Sequence, residues 1–268
     1  MGTKIQWTDE SWNPVVGCSK VSAGCENCYA EKFAVRLAAI ELSRSAKQRM
    51  NLSSPYHVVT DGSGWNGKVA TIPSKLEIPL HWRKPRRIFV CSMGDLFHPS
   101  VPVEFIAKVL SIISMSPRHT YQVLTKRPSR MEQFFTDKNR MWQLGARKLP
   151  LPNLHLGVSV ENQKEMWRVG VLGRIPAAVK FISFEPLLGN ITYCPIKMER
   201  LEWVIIGCES GPKRRLCKLE WVRDLVQQCK AADVRAFVKQ LSISGKVEHN
   251  INKFPEDLRL RQYPQGQG

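Results

Sequence analysis

The sequence predicts an α/β fold, a partial (β/α)6-type TIM barrel with irregular insertions. Three observations carry the prediction. From about residue 88 onward, apolar, β-branched runs of strand length alternate with stretches of helical periodicity. The alternation repeats about six times, which calls for parallel strands joined by crossover helices. The length of 268 residues, with 43% hydrophobic and 24% charged side chains, suits one such folded barrel and argues against global disorder.

The elements follow in order. RIFVCS (87–92) is a predicted strand and PVEFIAKVLSIISM (102–115) a helix. TYQVLT (120–125) is a strand, and RPSRMEQFF (127–135) a helix that opens with proline near its first turn, where a fixed φ fits. LHLGVSV (154–160) and VKFISF (179–184) are strands on either side of a helix, NQKEMWRVGVLG (162–173). EWVIIG (202–207), the helix LEWVRDLVQQCKAA (219–232) and the strand VRAFVKQ (234–240) close the series. Segments 49–82 and 138–153 are polar, Pro-rich or irregular and read as insertions. The domain is expected to span 1–246, with 247–268 as a C-terminal appendage. Ligands of such sheets sit beyond the C-terminal strand ends.

Composition narrows the partners. No apolar run approaches a membrane span; the best, FIAKVLSII from Phe105, is broken by Lys108. The start, MGTKIQWTDE, lacks the apolar core of a signal peptide, and Gln6 stands where N-myristoylation needs Ser or Thr. A cytoplasmic protein with no membrane partner is expected. Lys and Arg number 40 against 23 acidic residues, a net charge of +17. That excess favours a polyanion, nucleic acid before a merely solvated basic surface. The cations cluster at RKPRR (83–87), KRPSR (126–130), PKRR (212–215) and RLR (259–261), three of them beside predicted strand ends.

Eight cysteines in such a chain do not read as a disulfide framework. Cys91, Cys194, Cys208, Cys217 and Cys229 are scattered, whereas Cys18, Cys25 and Cys28 form a Cys-x6-Cys-x2-Cys triplet. A structural zinc site would need a fourth ligand, and neither His57 nor His81 has a suggestive spacing. A four-iron, four-sulfur cluster held by three thiolates instead leaves one iron open. The order of readings is iron–sulfur, then zinc, then unliganded loop cysteines. Two other motifs fail on context. GSGWNG (62–67) fits G-x-G-x-x-G but runs into KVATIP, which is no helix, and in GCESG Ser210 falls one place too late for a nucleophile elbow.

A triplet at the start of a β/α series resembles the radical S-adenosylmethionine (SAM) superfamily. The CY ending of the loop, with Asn27 where an aromatic is usual and Tyr29 after the last cysteine, is similar to the spore photoproduct lyase branch. WNPVVGCSKVSAGCENCYAEKF, MGDLFHP, LTKRPSRM, GVSVEN, SFEPLLG, GCESGP and FVKQ occur in that order from Trp12 to Gln240. Together they resemble the phage-associated three-Cys-motif proteins of that superfamily.

The resemblance implies a barrel of the radical SAM kind, a 4Fe–4S cluster on Cys18, Cys25 and Cys28, and S-adenosyl-L-methionine as cofactor. It implies formation of a 5′-deoxyadenosyl radical. The expected substrate is a nucleic-acid base, modified or repaired in phage-related DNA, in the host cytoplasm if the chain is phage-encoded. An electron donor such as flavodoxin or ferredoxin is implied, and a separate modification-pathway enzyme is a further candidate partner. Gly94 and Asp95 match the segment that holds the SAM ammonium, and a carboxylate suits that charge. Ser159, Glu161, Glu185 and Tyr29 are further cofactor candidates, against helix capping by Glu161 or Asn162. Lys126 and Arg127 oppose the dipole of the helix they precede, so they are expected to face an anion, either SAM's carboxylate or a substrate phosphate. Lys126, Glu209 and Cys208 are the catalytic candidates, Cys208 by analogy with hydrogen-donating thiols of the lyase branch. Arg127, Ser210, Arg214, Lys239 and Gln240 are the substrate-binding candidates. Two alternatives remain: a radical SAM enzyme for a small metabolite or nucleotide, and a non-enzymatic, zinc-containing nucleic-acid-binding protein.

Overall fold

The computed structural model describes residues 3–48, 54–137, 150–192 and 201–264. Its elements in chain order begin with β1 (Glu10–Trp12), β2 (Val15–Val16), α1 (Tyr29–Gln48), α2 (Tyr56–Val59), β3 (Ala70–Thr71) and β4 (Arg87–Val90). Then come α3 (Val103–Met115), β5 (Thr120–Thr125), α4 (Pro128–Thr136), β6 (Leu154–Ser159), α5 (Trp167–Arg174) and β7 (Val179–Phe184). β8 (Leu201–Gly207), α6 (Leu219–Ala231), β9 (Arg235–Ile243) and β10 (Lys246–Glu248) complete the set. Most of 138–153 and the position of Cys194 lie outside the described residues.

The main sheet has eight strands in the order β1-β4-β5-β6-β7-β8-β9-β10. Every pair is parallel except β9–β10. This is a mixed α/β fold with a mostly parallel sheet flanked by helices. Sequential strand order means that each crossover steps the same way, so the helices collect on one face. Among the described residues the edge strands are not hydrogen-bonded to each other, so the closed ring of a full barrel is not seen. Nor is any described helix long and apolar enough to cross a membrane.

Two faces of the sheet explain the strand patterning. Ile88, Val90, Tyr121, Val123, Leu156, Val158, Ile182, Val204 and Val238 alternate outward into one cluster with the helices. α3 joins it through Phe105, Ile106, Val109, Leu110 and Ile113, spaced to make one helical stripe. The opposite face carries Trp7, Phe89, Phe181, Trp203, Ile205 and Phe237. Trp7 touches Phe89 at 4.7 Å and Trp203 at 6.0 Å between ring centroids, and Trp203 meets Phe237 at 6.1 Å. Side chains from strands near both ends of the sheet thus share one cluster, which requires a strongly curled sheet with an apolar concave floor.

The predicted strands 120–125 and 179–184 match β5 and β7. The strand expected over 87–92 stops at Val90 because Cys91 takes the left-handed conformation (φ 61°), turning the chain out of the sheet. The helix expected over 162–173 begins as a 3-10 turn, Gln163–Met166, capped by Asn162, whose side chain accepts from Lys164 N at 2.9 Å. Several elements lie outside the expected series, among them β2, α2, β3 and β10. α1 follows directly on the cysteine triplet, and β1 adds a first strand before it. The described part of the 49–82 insertion packs beneath the cysteine loop. β3 pairs with β2, and Val59 and Trp65 join Val16, Ala30 and Ala34 in a small core.

Residues after 248 line the outer edge of β9. Val238 N donates to Leu260 O at 2.8 Å, Trp203 Nε1 donates to Gln262 O at 2.8 Å, and Tyr263 packs against Trp203 and, edge-on, against Phe237.

Candidate active site

Along the strands the concave face changes character. Phe181, Trp203, Ile205 and Phe237 fill its floor; Ser159, Ser183, Glu185 and Lys239 follow at the C-terminal strand ends. Above this polar ring lies a cavity of about 210 Å³. Cys18, Cys25, Cys28 and Tyr29 line it, as do Gly94, Asp95, Lys126, Arg127, Ser159 and Glu185. So do Cys208, Glu209, Ser210, Lys239 and Gln240. Of the residues singled out in the sequence, Glu161 and Arg214 do not reach its wall. The wall also holds Ile5, Trp7, Asn27, Trp65, Ser92, Thr125 and Ser183, which the motifs did not single out.

The cysteine loop is held by two arginines. Arg127 donates to Ser19 O at 2.8 Å, to Ser19 Oγ at 2.9 Å and to Cys18 Sγ at 3.5 Å, and pairs with Asp95 at 2.9 Å. Arg215 donates to Ala23 O at 2.9 Å, pairs with Glu26 at 2.8 Å and pairs with Glu209. Asn27 adds a bond to Glu209 at 3.0 Å. The Glu209 carboxyl feels burial, which raises its pKa, but the bonds from Arg215 and Asn27 outweigh this and hold it below the usual carboxylate range.

A third hold is buried. Glu161 is fully enclosed and accepts from Ser22 Oγ at 2.9 Å, while pairing with Lys126 at 3.0 Å and with Arg168 at 3.0 Å. Gly24 lies directly on it: a β-carbon there would sit 2.3 Å from Glu161 Cγ. Asn162 does the capping, so Glu161 is free to anchor the loop rather than face the cavity.

The anions expected opposite Lys126 and Arg127 are therefore the protein's own, Glu161 and Asp95. Asp95 accepts from Phe97 N, Thr125 Oγ1, Lys126 N and Arg127 at 2.8–3.3 Å, so both oxygens are already in use. Gly94 is explained by packing as well as by access to the cavity, since a β-carbon there would lie 3.0 Å from Gly17 O. Glu185 pairs with Lys239 at 2.9 Å and accepts from Ser183 Oγ at 3.2 Å. Gln240 Nε2 donates to Cys208 O at 2.6 Å. Tyr29 donates its hydroxyl to Ser92 O at 3.0 Å. Arg214 bonds Gly211 O at 3.1 Å and Gly245 O, outside the wall.

The thiols are free. Burial pushes the Cys18 thiol up to about 11, with Asp95 adding to the shift and Arg127 opposing it. Burial, with Cys217 nearby, pushes Cys208 up to about 12. Among the described residues no three His, Cys, Asp or Glu side chains converge closely enough to bind a single metal ion. A tetrahedral zinc ion with bonds of about 2.3 Å to sulfur demands that convergence.

Comparison with curated proteins and with solved structures returns no match. Residues 2–260 match a family described as a protein of unknown function (DUF5131). With nearly its whole length matched, the chain belongs to the DUF5131 family.

Proposed function

We propose that this protein is a radical SAM enzyme that modifies or repairs a nucleic-acid base. One observation carries the reading: three free thiols from one loop line a single cavity at the C-terminal ends of a curled, sequentially wound parallel sheet. Three thiols from one loop, with no fourth ligand at a suggestive spacing, suit a cluster that leaves one iron open. In such a cluster each thiolate binds a different iron. Bound there, the cluster and SAM would supply a 5′-deoxyadenosyl radical.

The chain's own residues do the rest. Arg127 hydrogen-bonds one ligand sulfur and fixes the backbone beside it, and Arg215 fixes the backbone before the second. Such outer partners orient ligands and tune their basicity. Ser159, Ser183, Glu185, Lys239 and Gln240 offer both donors and acceptors on the facing wall. They suit a ligand with amino, carboxylate and hydroxyl groups. The apolar floor beneath them keeps bulk water from entering from below. The net charge of +17 supports a polyanionic substrate.

The test is anaerobic reconstitution with iron and sulfide, followed by reduction in the presence of SAM. About four irons per chain, lost together in the Cys18→Ala, Cys25→Ala and Cys28→Ala variants, and release of 5′-deoxyadenosine are expected. A single tightly held zinc ion, or iron retained by all three variants, refutes the reading.

A further inference from the structure

The four basic clusters of the sequence have different fates. Cluster 83–87 leads into β4 and so lies at the amino ends of the strands, away from the cavity, with Arg86 and Arg87 paired to Glu10 and Asp9. In 126–130, Lys126 and Arg127 are neutralised inside the protein. In 259–261, both arginines bond carbonyls of the tail, those of Phe254 and His249. Only the cluster after β8 leaves a cation at the cavity rim. Arg215 is consumed by Glu209 and Glu26 and Arg214 bonds the carbonyls of Gly211 and Gly245, but Lys213 is exposed and has no carboxylate partner among the described residues.

α1 supplies the other half of that rim. Lys32 and Arg36 are exposed and have no carboxylate partner among the described residues. Lys32 Nζ lies 3.7 Å from the position of a β-carbon on Gly211, and Asn27 Nδ2 donates to Lys213 O at 3.0 Å, so the two elements abut. The carboxylates nearby are taken: Glu26 and Glu209 by Arg215, and Glu31 by Lys20. On the same helix, Tyr29 and Phe33 are each 49% exposed and stand four residues apart, on one face with Arg36. Tyr29 also lines the cavity.

We infer that the rim made by α1 and the loop after β8 is a track for single-stranded nucleic acid. Lys32, Arg36 and Lys213 meet successive phosphates, and Phe33 and Tyr29 offer ring faces on which bases stack beside the cavity mouth. Uncompensated cations interleaved with exposed aromatic rings are what a sequence-tolerant strand site needs. A base must leave its stack to enter a cavity, which favours a single or locally opened strand over an intact duplex. An acidic protein would use the cations and leave the rings idle. The inference deepens the proposed function by placing its substrate, yet it stands on the surface alone and needs no cluster.

The experiment measures anisotropy of a fluorescein-labelled, mixed-sequence single strand of about 16 nucleotides. Purified full-length protein is titrated between about 50 and 200 mM salt. The rim variant is Lys32→Glu/Arg36→Glu/Lys213→Glu. Its control, Arg83→Glu/Lys84→Glu/Lys108→Glu, makes the same charge change at exposed positions away from the cavity. Thermal melting confirms that both triples are folded. The rim variant is expected to weaken binding at least tenfold and to take about 2 off the salt slope, at about 0.7 per lost phosphate contact. The control should stay within about twofold of the parent protein. Phe33→Ala should weaken binding about fivefold or more with the slope unchanged. Equal losses in the two triples, no loss in either, or unchanged affinity in Phe33→Ala overturns the inference. Iron content of the same preparations keeps the two readings apart. Rim-dependent binding by a chain that takes up no cluster sinks the enzyme reading alone; rim-independent binding by a cluster-bearing chain sinks this one alone.

Discussion

Replacing Glu161 by Gln tests whether the cysteine loop is anchored from below. Glu161 is fully buried between Ser22, Lys126 and Arg168, and Arg168 is itself 1% exposed. The amide keeps the shape and still accepts from Ser22, so the perturbation is chiefly the loss of one buried negative charge. Breaking a buried pair from one side costs about 3–5 kcal/mol, because the partner charge stays buried. Two features pull the value to the lower end: Arg168 keeps its pair with Glu165 at 2.7 Å, and Lys126 has partial access to water. We expect a loss of about 3 kcal/mol, a factor of roughly 150 in the folding equilibrium. With a urea m-value of about 3 kcal/mol/M, the midpoint falls by about 1 M. The assay is urea unfolding followed by tryptophan fluorescence. Lys126→Met and the double variant complete a cycle in which the two losses are not additive. A midpoint shift below about 0.3 M would refute the anchoring role. A direct cofactor-binding role for Glu161 predicts the opposite result, unchanged stability with weakened ligand binding.

Gly24→Ala places a methyl carbon 2.3 Å from Glu161 Cγ. It should destabilise the fold by about 1–3 kcal/mol, read as a lowered Tm, and lower iron uptake on reconstitution; full stability would show that the loop tolerates displacement. His155 is fully buried, and desolvation holds its pKa at about 4, below the usual 6.5 of histidine. Its neutral form is the folded one, so the unfolded chain takes up a proton first as pH falls. Stability should be intact above about pH 7 and decline through 6.5, by about 2 kcal/mol at pH 5. His155→Gln should flatten that limb in urea titrations at several pH values, and an unchanged slope would discount His155. Gly157→Ala puts a β-carbon 2.5 Å from the Phe181 ring and should cost about 1–3 kcal/mol, with a blunted near-ultraviolet circular dichroism signal from the concave cluster. A parent-like melt and spectrum would show that the ring moves aside.

The sequence made the strand–helix series legible because each strand carries one continuous apolar signature and each helix one stripe. The site was legible for the same reason: motif residues at strand ends arrive together once the strands are parallel. Three things were not legible. β1 is three residues long, too short to show a period. Among its described residues α1 buries only small apolar ones, Ala30, Ala34 and Ala38, and exposes Tyr29, Phe33, Ile40 and Leu42, so its large apolar residues do not mark the buried face. The pairing of charges is long-range. Glu161 pairs with Lys126 from another strand end, and Arg215 reaches back to Ala23, links that no local spacing encodes. Arg215 sat in a cluster already noted for its charge, but nothing distinguished it from Arg214 beside it. The opposition of Lys126 and Arg127 to their helix dipole pointed to a ligand's anion, whereas the carboxylates that face them are internal, Glu161 and Asp95.

The strip beyond Glu248 has a practical meaning for anyone preparing this protein. Leu260 supplies an acceptor to the outermost parallel strand, and Tyr263 caps the aromatic floor. A version cut at residue 248 would bare β9's amide groups and an indole, leaving a sticky border on which neighbouring molecules could add strands. Affinity handles and fusion partners therefore belong after Pro264, where the described chain has finished its work on that border.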